Sequence, residues 1–148
     1  MVQTAPELVR LHASALTELQ TRLRAAAPDE GCALLLGNRQ PGLWFLERVW
    51  PCRNAWEPAS ERRRRFALDP REQLRAQVWA RGHGLEVLAA AHSHPDGLAI
   101  PSATDRQLTP LPSLMLILGV DGLACWWLEH PDLLPHRLRW ERVLAAEP

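Results

Sequence analysis

The segment from Leu85 to Ala91 is apolar except for Glu86, and it leads directly into His92-Ser93-His94. A short apolar run of this kind is typical of a buried β-strand. Alternate residues of a strand point to the same face. We therefore expect the fold to bury this strand and to bring two imidazoles together where it ends.

The rest of the chain alternates between strand and helix patterns. Ser14 is the expected N-cap of a first helix that Pro28 ends, and Asp69-Pro70 begins a second helix, with Glu72 closing a capping box. Asp121-Gly122 predicts a tight hairpin. Strands are expected at 8–12, 32–37, 43–50, 85–91, 114–120, 123–128 and within 134–143, with turn residues at 38–42 and a loop over 51–65. This order predicts one α/β domain, residues 1–148, with a mixed sheet.

Composition excludes several classes of function. The formal net charge of the 148 residues is zero, which argues against a nucleic-acid binder that works by neutralising phosphates. No stretch approaches the ~18–20 apolar residues of a membrane span. Residues 1–10 lack the long apolar run of a signal peptide, and Cys32, Cys52 and Cys125 form no C-x-x-C pair. We expect a protein of a reducing compartment, the cytoplasm.

A carboxylate follows the two histidines at short range. After His94 come seven residues and then Ser102-Ala103-Thr104-Asp105. Two imidazoles and one carboxylate, with a fourth position left to water, describe a catalytic zinc site. Ser102-x-x-Asp105 is also a capping-box pattern that begins a helix. The two interpretations are compatible, because an aspartate in the first turn of a helix can direct an oxygen at a metal.

A hydrolytic zinc site also needs a group that accepts the proton of the attacking water. Glu30, at the entrance to the predicted strand 32–37, is the best candidate. Spacing alone leaves Asp29, Glu86 and other carboxylates open as alternatives.

Taken together, these residues resemble the JAMM motif of the MPN-domain metalloproteases. The resemblance rests on Glu30-Gly-Cys-Ala-Leu-Leu-Leu-Gly37, on His92-Ser-His94-Pro and on Ser102-x-x-Asp105. It extends to Asn54 and to Phe66-Ala-Leu-Asp-Pro70, and it covers about residues 8–143. One departure is visible: the Cys-Gly usual after the glutamate is Cys32-Ala33 here, which we expect to require only a minor packing adjustment.

The resemblance implies a fold, a metal and a substrate. The fold would be a three-layer α/β/α arrangement around a curved mixed sheet. His92, His94 and Asp105 would bind Zn²⁺, Glu30 would act as general acid/base, and Ser102 would help to hold the oxyanion. The implied activity is that of a zinc metallopeptidase or isopeptidase. Its substrate would be an amide at the C-terminal Gly-Gly of a ubiquitin-like sulfur-carrier protein, and one implied product is cysteine.

Other interpretations remain at this stage. The chain could be a non-catalytic MPN scaffold that binds partners, although none of the five functional positions is missing. A nucleobase deaminase would need His-x-Glu and Pro-Cys-x-x-Cys, and neither occurs. Arg62–Arg65 fits a solvated loop face or a docking site for an acidic carrier. Cys32 is expected to be a buried small residue and not a nucleophile. The oligomeric state is left open.

Overall fold

The structure, a computed structural model, describes residues 4 to 144. No helix within that range combines the length and the apolar character that crossing a membrane requires. The elements, in chain order, are β1 (Leu8–His12), α1 (Ala13–Ala25), β2 (Cys32–Gln40), β3 (Leu43–Cys52), a 3-10 turn (Ala59–Glu61), α2 (Pro70–Gly82), β4 (Glu86–Ser93), α3 (Ala103–Leu108), β5 (Ser113–Gly119), β6 (Gly122–Leu128) and β7 (His136–Val143).

The strands form one mixed sheet in the order β1-β3-β2-β4-β5-β6-β7, which closes into a barrel. β1 closes it, because this strand pairs in parallel with both β3 and β7. β4 and β5 are also parallel, and the remaining pairs are antiparallel. The predicted α/β class with a mixed sheet is confirmed. The three-layer arrangement is not established, because the sheet closes on itself.

The helices cover different parts of this sheet. Leu16, Leu19 and Leu23 of α1 belong to the main core, which they share with buried residues of six strands. On another surface of the sheet, Ala76 and Ala80 of α2 pack against buried leucines of β2. The packing face of α2 consists of small residues, while Leu74 and Val78 are 61% and 62% exposed. α2 therefore covers one face of β2 and of β4.

The predicted helix starts are partly right. Asp69 caps α2, since its Oδ1 accepts a hydrogen bond from the amide of Arg71 at 2.9 Å. Glu72 does not close a capping box, because its carboxylate accepts from the indole N–H of Trp50 at 2.8 Å instead. The prediction of Ser14 as the first N-cap is wrong. His12 occupies that position, and its Nδ1 accepts from the amide of Ser14.

Strand β2 continues beyond its predicted end at Gly37. The register between β2 and β3 shifts between Leu36 and Gly37, which marks a β-bulge. A Cβ atom at position 37 would lie 1.7 Å from the carbonyl oxygen of Phe45. Gly37 therefore allows a close backbone approach within the sheet. The hairpin turn shortens as a result to Pro41-Gly42, which lies between the two strands.

The second hairpin and the last strand agree closely with prediction. Gly119 pairs with Gly122, so the two-residue turn is Val120-Asp121, one residue earlier than expected. Gly122 has φ +109°, a conformation that glycine adopts without steric cost. β7 lies within the expected range 134–143.

Candidate metal centre

The end of β4 brings two histidines together. His92 is the penultimate residue of β4 and is fully buried, and His94 follows the strand with 13% of its side chain exposed. Their Nε2 atoms lie 3.1 Å apart. The convergence follows from the two-residue repeat of a strand, which directs both imidazoles to the same side.

Asp105 reaches the histidines from the first turn of α3. Its Oδ2 lies 3.0 Å from His92 Nε2 and 3.3 Å from His94 Nε2. A capping box fixes its position: the Ser102 amide donates to Asp105 Oδ2 at 2.9 Å, and the Asp105 amide donates to Ser102 Oγ at 3.0 Å. The helix start therefore holds the carboxylate at the imidazoles, as both interpretations of Ser102-x-x-Asp105 predict.

The protonation of His94 follows from its other nitrogen. His94 Nδ1 lies 2.7 Å from the carbonyl oxygen of Leu98. A carbonyl can only accept, so Nδ1 carries the proton and Nε2 of the neutral ring presents a lone pair. That lone pair faces the carboxylate of Asp105 and the Nε2 atom of His92. Lone pairs this close together repel one another unless a cation lies between them. These three atoms therefore fit the ligands of a bound metal ion.

Burial and hydrogen bonding set the charges in this cluster. Burial opposes ionisation of Asp105, but the neighbouring imidazoles and the hydrogen bond from the Ser102 amide outweigh it and hold the Asp105 pKa well below its usual range. Burial lowers the pKa of His92, which favours the neutral, ligating form of the imidazole. An ionised carboxylate and a neutral imidazole are the forms that bind metals.

Glu30 lies beside the histidines although it is distant in sequence. It precedes β2 and is 5% exposed. One oxygen of Glu30 and one nitrogen each from His92 and His94 lie within 4.8 Å of one another. Its Oε1 is buried and has no partner among the described residues. Burial raises the Glu30 pKa to about 7, with a smaller increase from Asp105 and an opposing effect of His94.

The family assignment follows from a match over most of the chain. Residues 12–129, which contain Glu30 and the whole segment from His92 to Asp105, match the family described as prokaryotic homologs of the JAB domain. The chain belongs to this family. The resemblance to the JAMM metalloproteases that the motif predicted is thereby confirmed.

Two relatives are similar in sequence over most of the chain. A probable TtuB-protein conjugate cleaving protease from Thermus thermophilus is 34% identical over 114 residues, which are 76% of this chain and 71% of the relative. Desampylase from Haloferax volcanii is 31% identical over 96 residues, which are 64% of this chain and 66% of that protein.

Solved structures have the same fold. The solution structure of a protein from Desulfitobacterium hafniense superposes with a TM-score of 0.83 at 28% identity, covering 94% of this chain and 95% of the other. A JAB1/MPN domain protein from Archaeoglobus fulgidus gives a TM-score of 0.59 at 17% identity, over 91% and 97% of the two chains. The second similarity concerns the fold alone.

The alternatives to Glu30 lie in different surroundings. Glu86 is at the start of β4, the opposite end from His92, and its carboxylate binds Arg39 at 2.7 Å. Asp29 is only partly buried and is not in the group of candidate metal ligands. Among these three carboxylates, Glu30 alone combines burial with proximity to the histidines.

The cysteine of the motif is not set up as a nucleophile. Cys32 is 4% exposed, and burial, with smaller effects of Cys52 and Glu30, raises its pKa to about 12. A thiol with so high a pKa is protonated at neutral pH and reacts slowly. The expected structural role of Cys32 agrees with these surroundings.

A cleft with a mixed polar and apolar lining opens beside Asp105. Its volume is about 540 Å³, and its lining includes Phe66, Leu68, Ala90, Thr104 and Leu108. The cleft runs from the site along β4, between the segment that precedes α2 and the residues around α3. A cleft of this volume can hold a short segment of polypeptide next to Asp105.

Sequence reasoning missed the role of Ser93, which lies between the two histidines. Its Oγ accepts a hydrogen bond from the Gly31 amide at 2.8 Å, and its own amide donates to the Gly31 carbonyl at 3.0 Å. These bonds join the segment that carries Glu30 to the strand that carries the histidines. The sequence signal for such a cross-strand contact is weak, because 62 residues separate the two partners.

Proposed function

We propose that this JAB-domain protein is a zinc-dependent metallopeptidase that hydrolyses an amide bond at the C-terminal Gly-Gly of a ubiquitin-like protein. The observation that carries the proposal is the convergence of His92, His94 and Asp105 beside the buried carboxylate of Glu30. The names of the two relatives, a conjugate-cleaving protease and desampylase, support protein conjugates as the substrate class.

We assign the zinc ligands to His92, His94 and Asp105. Their three candidate donor atoms lie 3.0, 3.1 and 3.3 Å apart. Ligands at ~2.0–2.1 Å in a tetrahedral zinc site are separated by about 3.3 Å. Two imidazoles and one carboxylate also leave a fourth position open, as catalytic zinc sites require.

The proposed chemistry divides between the metal and the side chains. Zinc, when bound, supplies Lewis acidity that polarises the scissile carbonyl and makes water a stronger acid. Glu30 accepts the proton of the attacking water and returns it to the leaving amine. In the metal-free protein burial raises the Glu30 pKa to about 7, so this environment favours a carboxyl that can both accept and return a proton.

Ser102 is proposed as the donor to the oxyanion. Its Oγ accepts from the Asp105 amide, and the hydroxyl proton has no acceptor among the described hydrogen bonds. That proton is therefore available to the oxygen that gains negative charge as the amide is attacked. A single donor of this kind is worth ~10²–10³ in rate.

The proposed glycine-rich end of the substrate would fit the cleft beside Asp105. An extended tail can lie along β4, and the absence of side chains at Gly-Gly lets its backbone approach the histidines closely. Amide hydrolysis at this point would release either a conjugated protein or a small amine such as cysteine from a sulfur carrier. The names of the relatives favour the conjugate as the first substrate to test.

The test uses a ubiquitin-like protein whose Gly-Gly carboxyl is joined to a lysine side chain of a second protein. The wild-type protein is expected to cleave this bond, chelator treatment to abolish the cleavage, and added zinc to restore it. Glu30→Gln is expected to abolish cleavage and to retain zinc, while Glu129→Gln, at an exposed position, serves as the matched control. Full activity of Glu30→Gln would refute the proposal, and tight binding without hydrolysis would instead indicate a scaffold.

A further inference from the structure

The backbone of Glu30 is held by a segment outside the sheet. β2 begins at Cys32, so Glu30 precedes the ladder of hydrogen bonds that fixes the strand. Its amide donates to the carbonyl of Arg62 at 2.7 Å, and its carbonyl accepts from Asn54 Nδ2 at 2.9 Å. Both polar backbone groups of the proposed base therefore depend on residues 54–65.

Asn54 organises this segment with its side-chain amide. Nδ2 donates to the carbonyls of Glu30 and Arg65, each at 2.9 Å. Oδ1 accepts from the amides of Trp56 and Ala67, at 3.0 and 3.3 Å. The side chain thus uses both of its donors and both acceptor positions. Asn54 is also 9% exposed, so each lost bond would leave a largely buried polar group unpaired.

The segment closed by Asn54 also contacts a proposed metal ligand. Phe66 lies next to Ala67, and its ring stacks on the imidazole of His92 with centroids 4.3 Å apart and planes 20° from parallel. The same loop therefore contacts the backbone of Glu30 and one face of His92. Asn54 joins the two ends of this loop, since its partners include Trp56 on one side and Ala67 on the other.

We propose that Asn54 is a positioning residue: its amide sets the orientation of Glu30 relative to the histidines by fixing residues 54–67 against the start of β2. The inference rests on the proposed function, because it gives Asn54 a role in the same hydrolytic step. Asn54 itself touches neither the histidines nor the cleft in any described hydrogen bond or contact.

Substitution by aspartate tests this role with little change of shape. Asn54→Asp keeps two oxygens that can accept from the Trp56 and Ala67 amides. It removes both donors and places a carboxylate oxygen opposite the carbonyls of Glu30 and Arg65. Asn54→Ala removes all four bonds. The exposed Asn38 in β2 is the matched control, because Asn38→Asp makes the same change in charge away from the site.

Steady-state kinetics separate positioning from binding. Misplacement of a reacting group by about 1 Å can cost about 10²-fold in rate, so we expect Asn54→Asp to lower kcat by about that factor. The stoichiometry of bound zinc should change little, since the three ligands remain. KM can rise because Phe66 of the same loop lines the cleft, but the larger loss should be in kcat. Asn38→Asp should behave as wild type. Wild-type kcat in Asn54→Asp, or a loss confined to KM, would overturn the inference.

Hydrogen exchange of the zinc-loaded protein provides a readout that needs no substrate. We expect the amide of Glu30 to exchange about tenfold faster in Asn54→Asp, the effect of losing about one hydrogen bond. In Asn54→Ala the amides of Trp56 and Ala67 should also exchange faster. Unchanged protection of Glu30 in both variants would overturn the inference. If the wild type cleaves no conjugate, the proposed function fails, and hydrogen exchange still tests whether Asn54 holds Glu30.

Discussion

Neutralising Glu30 should stabilise the metal-free protein at alkaline pH while it removes activity. Burial raises the Glu30 pKa from 4.5 to about 7, so the folded state holds a proton there that the unfolded chain has already released. A tenfold change in an ionisation equilibrium is worth about 1.4 kcal/mol. Ionising Glu30 in the folded, chelated protein therefore costs at most about 3 kcal/mol, and Glu30→Gln avoids this cost.

The sign and the pH range follow from the two pKa values. Well below pH 4.5 Glu30 is protonated in both the folded and the unfolded protein, so its ionisation does not change the free energy of unfolding. As the pH rises from 4.5 through about 7, the wild type loses stability because only the unfolded chain ionises freely. The advantage of Glu30→Gln should therefore grow by about 2 kcal/mol between pH 5 and pH 8, and then level off.

Urea unfolding in the presence of a chelator measures this difference. Unfolding free energies of the wild type, Glu30→Gln and Glu129→Gln would be compared at several pH values, with Glu129 as the exposed control. The difference in unfolding free energy between Glu129→Gln and the wild type should not grow with pH. A Glu30→Gln advantage that is constant with pH, or a variant less stable than wild type at pH 8, would refute the reasoning that burial opposes the charge of Glu30.

Three further results are expected. Asp105→Asn should lose stoichiometric zinc binding in equilibrium dialysis, because it removes the only anionic member of the proposed ligand set; retained one-to-one binding would contradict that assignment. Ser102→Ala should lower kcat by ~10²–10³ and the unfolding free energy by about 1 kcal/mol, whereas Ser102→Thr should retain most of both; equal kcat losses would show that the hydroxyl is not the donor. Burial raises the pKa of Cys32 to about 12, so this thiol should resist iodoacetamide at pH 8 until the protein is unfolded. Mass spectrometry measures the labelling, and rapid labelling of Cys32 in the folded protein would contradict its buried state.

Features that depend on near neighbours could be predicted from the sequence. The pair His92 and His94 converges because a strand repeats every two residues, and Asp105 returns because a capping box begins α3. Asp69-Pro70 likewise begins α2 where the local signals place it. Each of these depends on backbone geometry within a few residues.

Features that depend on distant partners could not be derived in this way. The closure of the sheet requires β1 to pair with β7, across more than a hundred residues of chain. The extension of β2 past Gly37 depends on the approach of Phe45, which local patterns do not encode. His12 and not Ser14 is the N-cap, because the helix begins at Ala13 and the imidazole Nδ1 accepts a hydrogen bond from the Ser14 amide.

The candidate site also combines features set by near neighbours with features set by distant parts of the chain. Spacing alone leaves Glu30, Asp29, Glu86 and other carboxylates as possible bases, and the family resemblance favours Glu30. The structure supports that choice through burial and distance, neither of which is visible in the sequence. Asn54 was part of the same resemblance, but its contact with Glu30 appears only when residues 54–67 are folded against β2.

If zinc is required for hydrolysis, activity should follow the amount of zinc added to the metal-free protein. Metal-stripped protein would receive increasing zinc, and the cleavage rate of the Gly-Gly isopeptide conjugate would be measured at each ratio. The account predicts no cleavage without metal and a linear rise that ends at one zinc per chain, bound by His92, His94 and Asp105. Cleavage at full rate by the metal-free protein, or no cleavage at any zinc concentration, would contradict it.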